Sequence, residues 1–175
     1  GAFLLPILSV ILFLVFLAIP LIDPLRANIE SFKKDYHRFI LVIVLFLSLI
    51  HIQTLIWNLG TKISFNLTMP VLLGGLFFYL GDLLGKVKRN WFIGIRTPWT
   101  MSSDAVWDKT HKFGGWLFKA VGVLCVLSIL LPINGIIIVI ALIIVAALAT
   151  VVYSYLAYRD LGLKGKKADK TEKKG

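Results

Sequence analysis

Asp104, Asp108 and His111 lie within two turns of one another in a helical reading, so two carboxylates and an imidazole could face one metal ion. Three such residues arise readily on a basic amphipathic helix, and the preferred reading assigns no metal there. Asp82 is an acid at the edge of an apolar stretch, where it could serve as a proton or ion site. Lys86 follows four residues later in the favourable orientation for an ion pair, which favours an interfacial salt bridge instead. His51 and Gln53 could line an intramembrane polar pocket, although an interhelical hydrogen bond is the simpler use of such groups. No His-Glu-x-x-His, no Ser or Cys nucleophile beside a credible base and no paired acids within an apolar stretch are present, so no enzyme and no cofactor are expected. Cys125, the single cysteine, reads as a small apolar filler.

The densest cluster of informative residues is Asn90-Trp-Phe-Ile-Gly-Ile-Arg-Thr-Pro-Trp-Thr100, followed by Trp107, His111 and Gly114-Gly115. Trp91, Phe92, Ile93 and Ile95 are too apolar for a free linker and too few to cross a bilayer, which suits the headgroup boundary. Gly94 permits a bend, while Pro98 biases Thr97 toward extended geometry. Arg96 could bind a lipid phosphate, pair with Asp82 or stack on an indole such as Trp99. A helix is expected to start at Ser102 or Ser103, with Asp104 in its first turn and Trp107, His111, Gly114 or Gly115 and Phe118 on one face. Asp108 and Lys112 are spaced to pair along it. Asn90, Gly94, Arg96, Thr97, Pro98, Trp99, Trp107 and His111 are the candidates for contact with a partner, against the alternative of a structural turn held at the membrane surface.

The elements around this loop are apolar. The composition is 58% hydrophobic, far from that of an ordinary soluble domain. A span needs about 20 mostly apolar residues, and the windows 2–22, 39–57, 67–85, 115–131 and 133–155 meet that need. The fold class is therefore an all-α integral membrane protein, an antiparallel bundle of five transmembrane helices with a long loop, 86–114, between the third and fourth. Residues 1–158 form one multi-span domain, and 159–175 a basic tail for which composition predicts disorder. Residues 23–37 suit a short interfacial helix, Gly81-x-x-x-Gly85 a close helix contact, Asn66 a helix cap and Pro132-Ile-Asn-Gly135 a tight turn. Ser48, His51, Thr54 and Asn58 share one face, expected to look toward another helix or water. Tyr153, Tyr155 and Tyr158 suit an aromatic belt.

The formal charge of +10 is distributed for topology rather than for nucleic acid. Arg26, Lys33, Lys34 and Arg38 flank the first connection, and Lys86, Lys88, Arg89, Arg96, Lys109 and Lys112 lie in the third. Arg159, Lys164, Lys166, Lys167, Lys170, Lys173 and Lys174 are in the tail, whereas the second connection has only Lys62. Five spans put the first and third connections and the tail on one side, which the positive-inside rule makes cytoplasmic, with the N-terminus outside. The tail is a topogenic cluster attracted to anionic lipid.

The string from Asn90 to Gly115 resembles the signature of the SdpI-like family, named for the immunity protein against the sporulation-delaying protein. That resemblance implies a bacterial or archaeal multi-pass cell-membrane protein. It further implies immunity to a secreted toxic peptide, and signalling by holding a cytoplasmic repressor at the membrane. The partners implied are thus the lipid bilayer, a toxic peptide and a repressor. Many relatives begin with one further span, so this chain, which opens on Gly1 and an apolar run, reads as part of a longer six-span protein. The alternative function is a small transporter or lipid-handling protein, which would need a polar path from His51 and Gln53 to Asp82 and Arg96.

Overall fold

A computed structural model describes residues 3–131 and 134–172, with side chains through residue 162. Among the described residues the chain is helical without strands: α1 (Leu4–Ile22), α2 (Arg26–Ser31), α3 (Lys33–Asn58), α4 (Phe65–Leu84), α5 (Pro98–Ser102), α6 (Asp104–Leu127), a 3-10 turn (Ser128–Leu130) and α7 (Gly135–Glu172). Five of these helices, α1, α3, α4, α6 with its 3-10 turn, and α7, are long and apolar enough to cross a membrane. A helix satisfies its own backbone hydrogen bonds, which is what lets such segments lie in hydrocarbon.

The α4–α6 pair forms the axis of the bundle, and glycine decides how closely it packs. A Cβ added at Gly74 would lie 2.7 Å from the carbonyl oxygen of Gly122, and one at Gly81 would lie 2.6 Å from that of Gly115. The reverse contacts are equally tight, Gly115 to Gly81 at 2.8 Å and Gly122 to Gly74 at 2.6 Å. Each helix thus carries two glycines seven residues apart, two full turns, in antiparallel register. Backbone meets backbone there, a packing mode that replaces the hydrophobic drive absent in lipid. The close contact therefore pairs Gly81 with Gly74 rather than with Gly85, whose added Cβ would meet only its own helix at 3.6 Å. Along the other side of α6, Val121 and Cys125 pack with Val139 and Ala146 of α7, which gives Cys125 the filler role its solitude suggests. At the N-terminal side, Phe16 of α1 meets Phe39 of α3 edge-on at 5.2 Å.

Several local expectations change. The helix expected from Ser102 or Ser103 starts at Asp104 and runs unbroken through most of the fourth apolar window, so the C-terminal part of the 86–114 loop is continuous with that span. Residues 23–37 divide between the six-residue α2 and the start of α3, which runs without a break into its apolar part. Asn66 does not cap α4, whose N-cap is Ser64 without a side-chain cap bond. Ser48, Thr54 and Asn58 bond back to Val44, Ile50 and Thr54 on their own helix instead of reaching a neighbour. The helix α7 continues to Glu172, through most of the segment for which composition predicts disorder. Of the Pro132–Gly135 turn, residues 132 and 133 lie outside the described residues.

The axial glycines give a sharp contrast with their neighbour Gly75, where an added Cβ meets nothing within 4 Å. Gly122→Ala should lower thermal stability in detergent by about 1–3 kcal/mol, since backbone rather than a flexible side chain must move. Gly75→Ala should be neutral or gain up to about 1 kcal/mol from helix propensity. Thermal unfolding of the two variants side by side checks this.

Candidate functional site

The 88–100 segment folds around side chains that replace missing secondary structure. Asn90 is fully buried, and its amide makes four bonds. Its Nδ2 donates to the carbonyls of Lys88 (2.8 Å) and Ile93 (2.9 Å), while its Oδ1 accepts from the amides of Phe92 (2.9 Å) and Ile93 (2.6 Å). Every hydrogen-bonding position of the group is used. The chain then turns at Gly94, with φ of 120°. Beyond it, Thr97 caps α5 in a reciprocal capping box: the Thr100 amide donates to Thr97 Oγ1 at 3.2 Å, and the Thr97 amide to Thr100 Oγ1 at 2.9 Å. Pro98 occupies the first helical position, where its missing N–H costs nothing. The Thr97 hydroxyl also donates to Ser154 of α7 at 3.0 Å, and Trp99 packs on Tyr155 with ring centroids 5.2 Å apart.

Trp107 and His111, one turn apart on α6, receive this loop. Their rings stack at 3.9 Å with a 17° interplanar angle, and both are buried. Trp107 Nε1 donates to the Val87 carbonyl at 2.9 Å. The Ile95 amide donates to His111 Nε2 at 2.9 Å, while His111 Nδ1 lies 2.9 Å from the Trp107 carbonyl. Only one tautomer satisfies both contacts: the proton sits on Nδ1, and Nε2 is the acceptor. Gly94 rests directly on the pair, since a Cβ there would fall 2.4 Å from His111 Nε2 and 3.1 Å from the Trp107 ring. One turn further along α6, Gly114 makes room for Ile95, whose Cδ1 would be 2.4 Å from an added Cβ.

Of the eight sequence-derived contact candidates, Asn90, Thr97, Trp107 and His111 therefore point inward and hold the loop together. Gly94, Arg96 and Pro98 are exposed, and Trp99 is half-buried. Arg96 does not pair with Asp82; its Nη1 donates to the carbonyl of Trp91. Trp91, 50% exposed, and Phe92, 37% exposed, complete an aromatic and cationic face that the notion of a structural turn alone leaves unused.

Ion pairs tie this end of the bundle together. Asp82 bonds Lys86 at 2.7 Å, as their spacing suggests, and also Lys119 of α6 at 3.1 Å. Lys86 reaches Asp35 of α3 at 3.4 Å, and its hydrogen bond to Asp82 holds the ammonium above its usual pKa. Asp104 lies 2.7 Å from Arg89 Nε, outside hydrogen-bond alignment, and Asp108 lies 3.9 Å from Lys88 rather than beside Lys112. With both acids turned to cations and His111 turned inward, the proposed trio is dispersed; among the described residues no metal-holding group of His, Cys, Asp and Glu occurs. Likewise His51 and Gln53 form no path to Asp82. Gln53 Nε2 donates across to Thr68 Oγ1 at 2.5 Å, and Thr68 and Asp82 are separated by about 21 Å along α4 at the standard rise.

Sequence reasoning missed Asp23. It is buried, and its carboxylate accepts from the amides of Leu25 (2.6 Å) and Trp91 (3.0 Å), so the first connection fastens the loop 68 residues away. Asn28 adds a bond to the Arg89 carbonyl at 2.7 Å, and Arg89 bonds the Met101 carbonyl at 2.7 Å. The Asp23-Pro24 dipeptide signals a turn, but no local pattern reveals so distant a partner.

Two substitutions separate the parts of this lock. Gly94→Ala forces a side chain into a sparsely populated backbone region, about 1–3 kcal/mol, as well as into the His111 ring. His111→Phe keeps a ring against Trp107 but strands the Ile95 amide, at a cost of about 1–3 kcal/mol. Both should lower thermal stability in detergent, whereas Arg96→Ala, at an exposed site, should change it by less than about 0.5 kcal/mol.

The comparisons with known proteins fall on this same region. The model of the SdpI/YfhL protein family matches residues 86–154, from the end of α4 into α7. The immunity protein SdpI of Bacillus subtilis (strain 168) is 26% identical over 160 residues, covering 91% of this chain and 75% of its own length. No solved structure matches the chain. The family match thus falls on the locked loop and the two helices that receive it, residues 86–154, which resemble the SdpI/YfhL protein family.

Proposed function

We propose that this chain is a non-enzymatic, multi-pass cell-membrane protein that gives its host immunity to a secreted toxic peptide. The observation that carries the reading is the similarity to an immunity protein along 91% of the chain, together with a family match over the loop and its receiving helices. The orientation proposed is loop and C-terminal segment cytoplasmic, N-terminal end outside. In support, Asp23, Asn28, Arg89 and the Lys109–Asp160 pair lie at one end of the bundle, the end that gathers most of the cations.

Within this proposal the inward residues act by shape, and the exposed Trp91, Phe92 and Arg96 make the contact. The signalling role, a cytoplasmic repressor held at the membrane, would use the same face. A transporter reading lacks its main requirement, since His51, Gln53, Asp82 and Arg96 are not joined in one polar path.

A sensitive host producing the protein should survive challenge with a secreted toxic peptide. Arg96→Ala, matched for membrane level, should lose most of the protection without losing thermal stability. Trp107→Ala should lose both, because truncating a buried Trp costs about 3–5 kcal/mol. No protection by the parent against several such peptides would sink the immunity proposal, and full protection by Arg96→Ala would remove the loop face from it.

A further inference from the structure

Away from the loop, α3 and α4 are joined at two places and stand apart between them. At one end Lys86 and the Tyr79 hydroxyl reach Asp35; toward the other, Gln53 bonds Thr68. Along this seam lie two adjoining cavities of about 200 and 360 Å³ that share Leu49, Val71 and Leu72, the wider one lined by Gln53 and Thr68 themselves and reaching Ile56 and Ile63. The walls are almost wholly aliphatic, and rim residues such as Leu45 (58% exposed) and Ile52 (50% exposed) leave the groove open to its surroundings. From Val42 to Ile56 the groove follows α3 for about 21 Å, more than the roughly 15 Å of hydrocarbon in one leaflet. Ile63 lines its wider end, and the exposed Lys62 precedes it. Every acidic side chain among the described residues is at the loop end of the bundle, so Lys62 is a cation without an acidic partner there. Gln53, buried and lining the wider cavity, has a side-chain oxygen that accepts no hydrogen bond among the described residues.

We propose that this groove is a binding site for one anionic phospholipid, with an acyl chain between α3 and α4 and the phosphate at Lys62. The shape admits a single extended chain, the aliphatic lining matches it, and the lone ammonium at the mouth selects a negative head group. The site is independent of the loop and of the immunity reading.

The test uses the whole chain in vesicles of phosphatidylcholine with phosphatidylglycerol, one or the other carrying a photoactivatable acyl chain at equal mole fraction. Crosslinks should concentrate in residues 42–76 and favour phosphatidylglycerol by about fivefold, the factor one cation near an anionic group contributes. Lys62→Glu should abolish that preference. Gly75→Leu, whose side chain enters the groove with nothing within 4 Å of its Cβ, should remove the label from both lipids while the protein stays folded. Equal labelling by the two lipids, labelling of 42–76 that persists in Gly75→Leu, or a groove that takes label only from an added apolar peptide would each overturn the proposal.

Discussion

Gly94 lies against the stacked rings of Trp107 and His111, and the loop end of the bundle is organised by that contact. The position demands both a φ of 120° and the absence of a Cβ, because the imidazole Nε2 already occupies that space. With the glycine seated, the next amide is delivered to Nε2 and the following isoleucine to the hollow above Gly114. The threonine capping box then turns the chain into α5 and across to Ser154 of α7. Asn90 does the equivalent work before the turn. A stretch with almost no regular structure thus satisfies its buried polar groups through side chains, those of Asp23, Asn90, Thr97, Thr100 and His111 among them, which is the condition for burying it at all.

The same logic of subtraction governs the spans. Hydrocarbon gives helices little reason to associate, so intimate backbone contact has to supply it. Gly74, Gly81, Gly115 and Gly122 let α4 and α6 approach at two levels, and the loop connecting these two helices inherits a rigid frame. Ion pairs from Asp35 and Asp82 to Lys86 and Lys119 close the end of that frame. They are partly exposed, so their contribution is small individually and lies mainly in register.

Much of the fold was legible in the sequence because apolar length is a strong signal. All five apolar windows correspond to helices, and the Asp82–Lys86 pair follows from spacing alone. The start of α6 at Asp104 was also legible, since Ser103 and Asp104 are typical first-turn residues. Its run toward the fourth span was legible too, since Trp107, His111, Gly114 and Phe118 keep one helical face across the boundary. The inward orientation of Asn90, Thr97 and His111 was hidden. A polar residue in a signature string reads as a contact for a partner until its internal hydrogen bonds are seen. Asp23 escaped because its partner, the Trp91 amide, is far off in sequence and chemically anonymous.

Hydrogen exchange at the Ile95 amide reports whether the loop is a single locked unit on α6. With the amide bonded to His111 Nε2, exchange should be slow in the native protein. It should become fast in His111→Ala, along with the Phe92 and Ile93 amides held by Asn90, while amides in α4 are unaffected. Rapid exchange at Ile95 in the native protein, or protection that survives loss of the imidazole, would mean that His111 does not hold the loop.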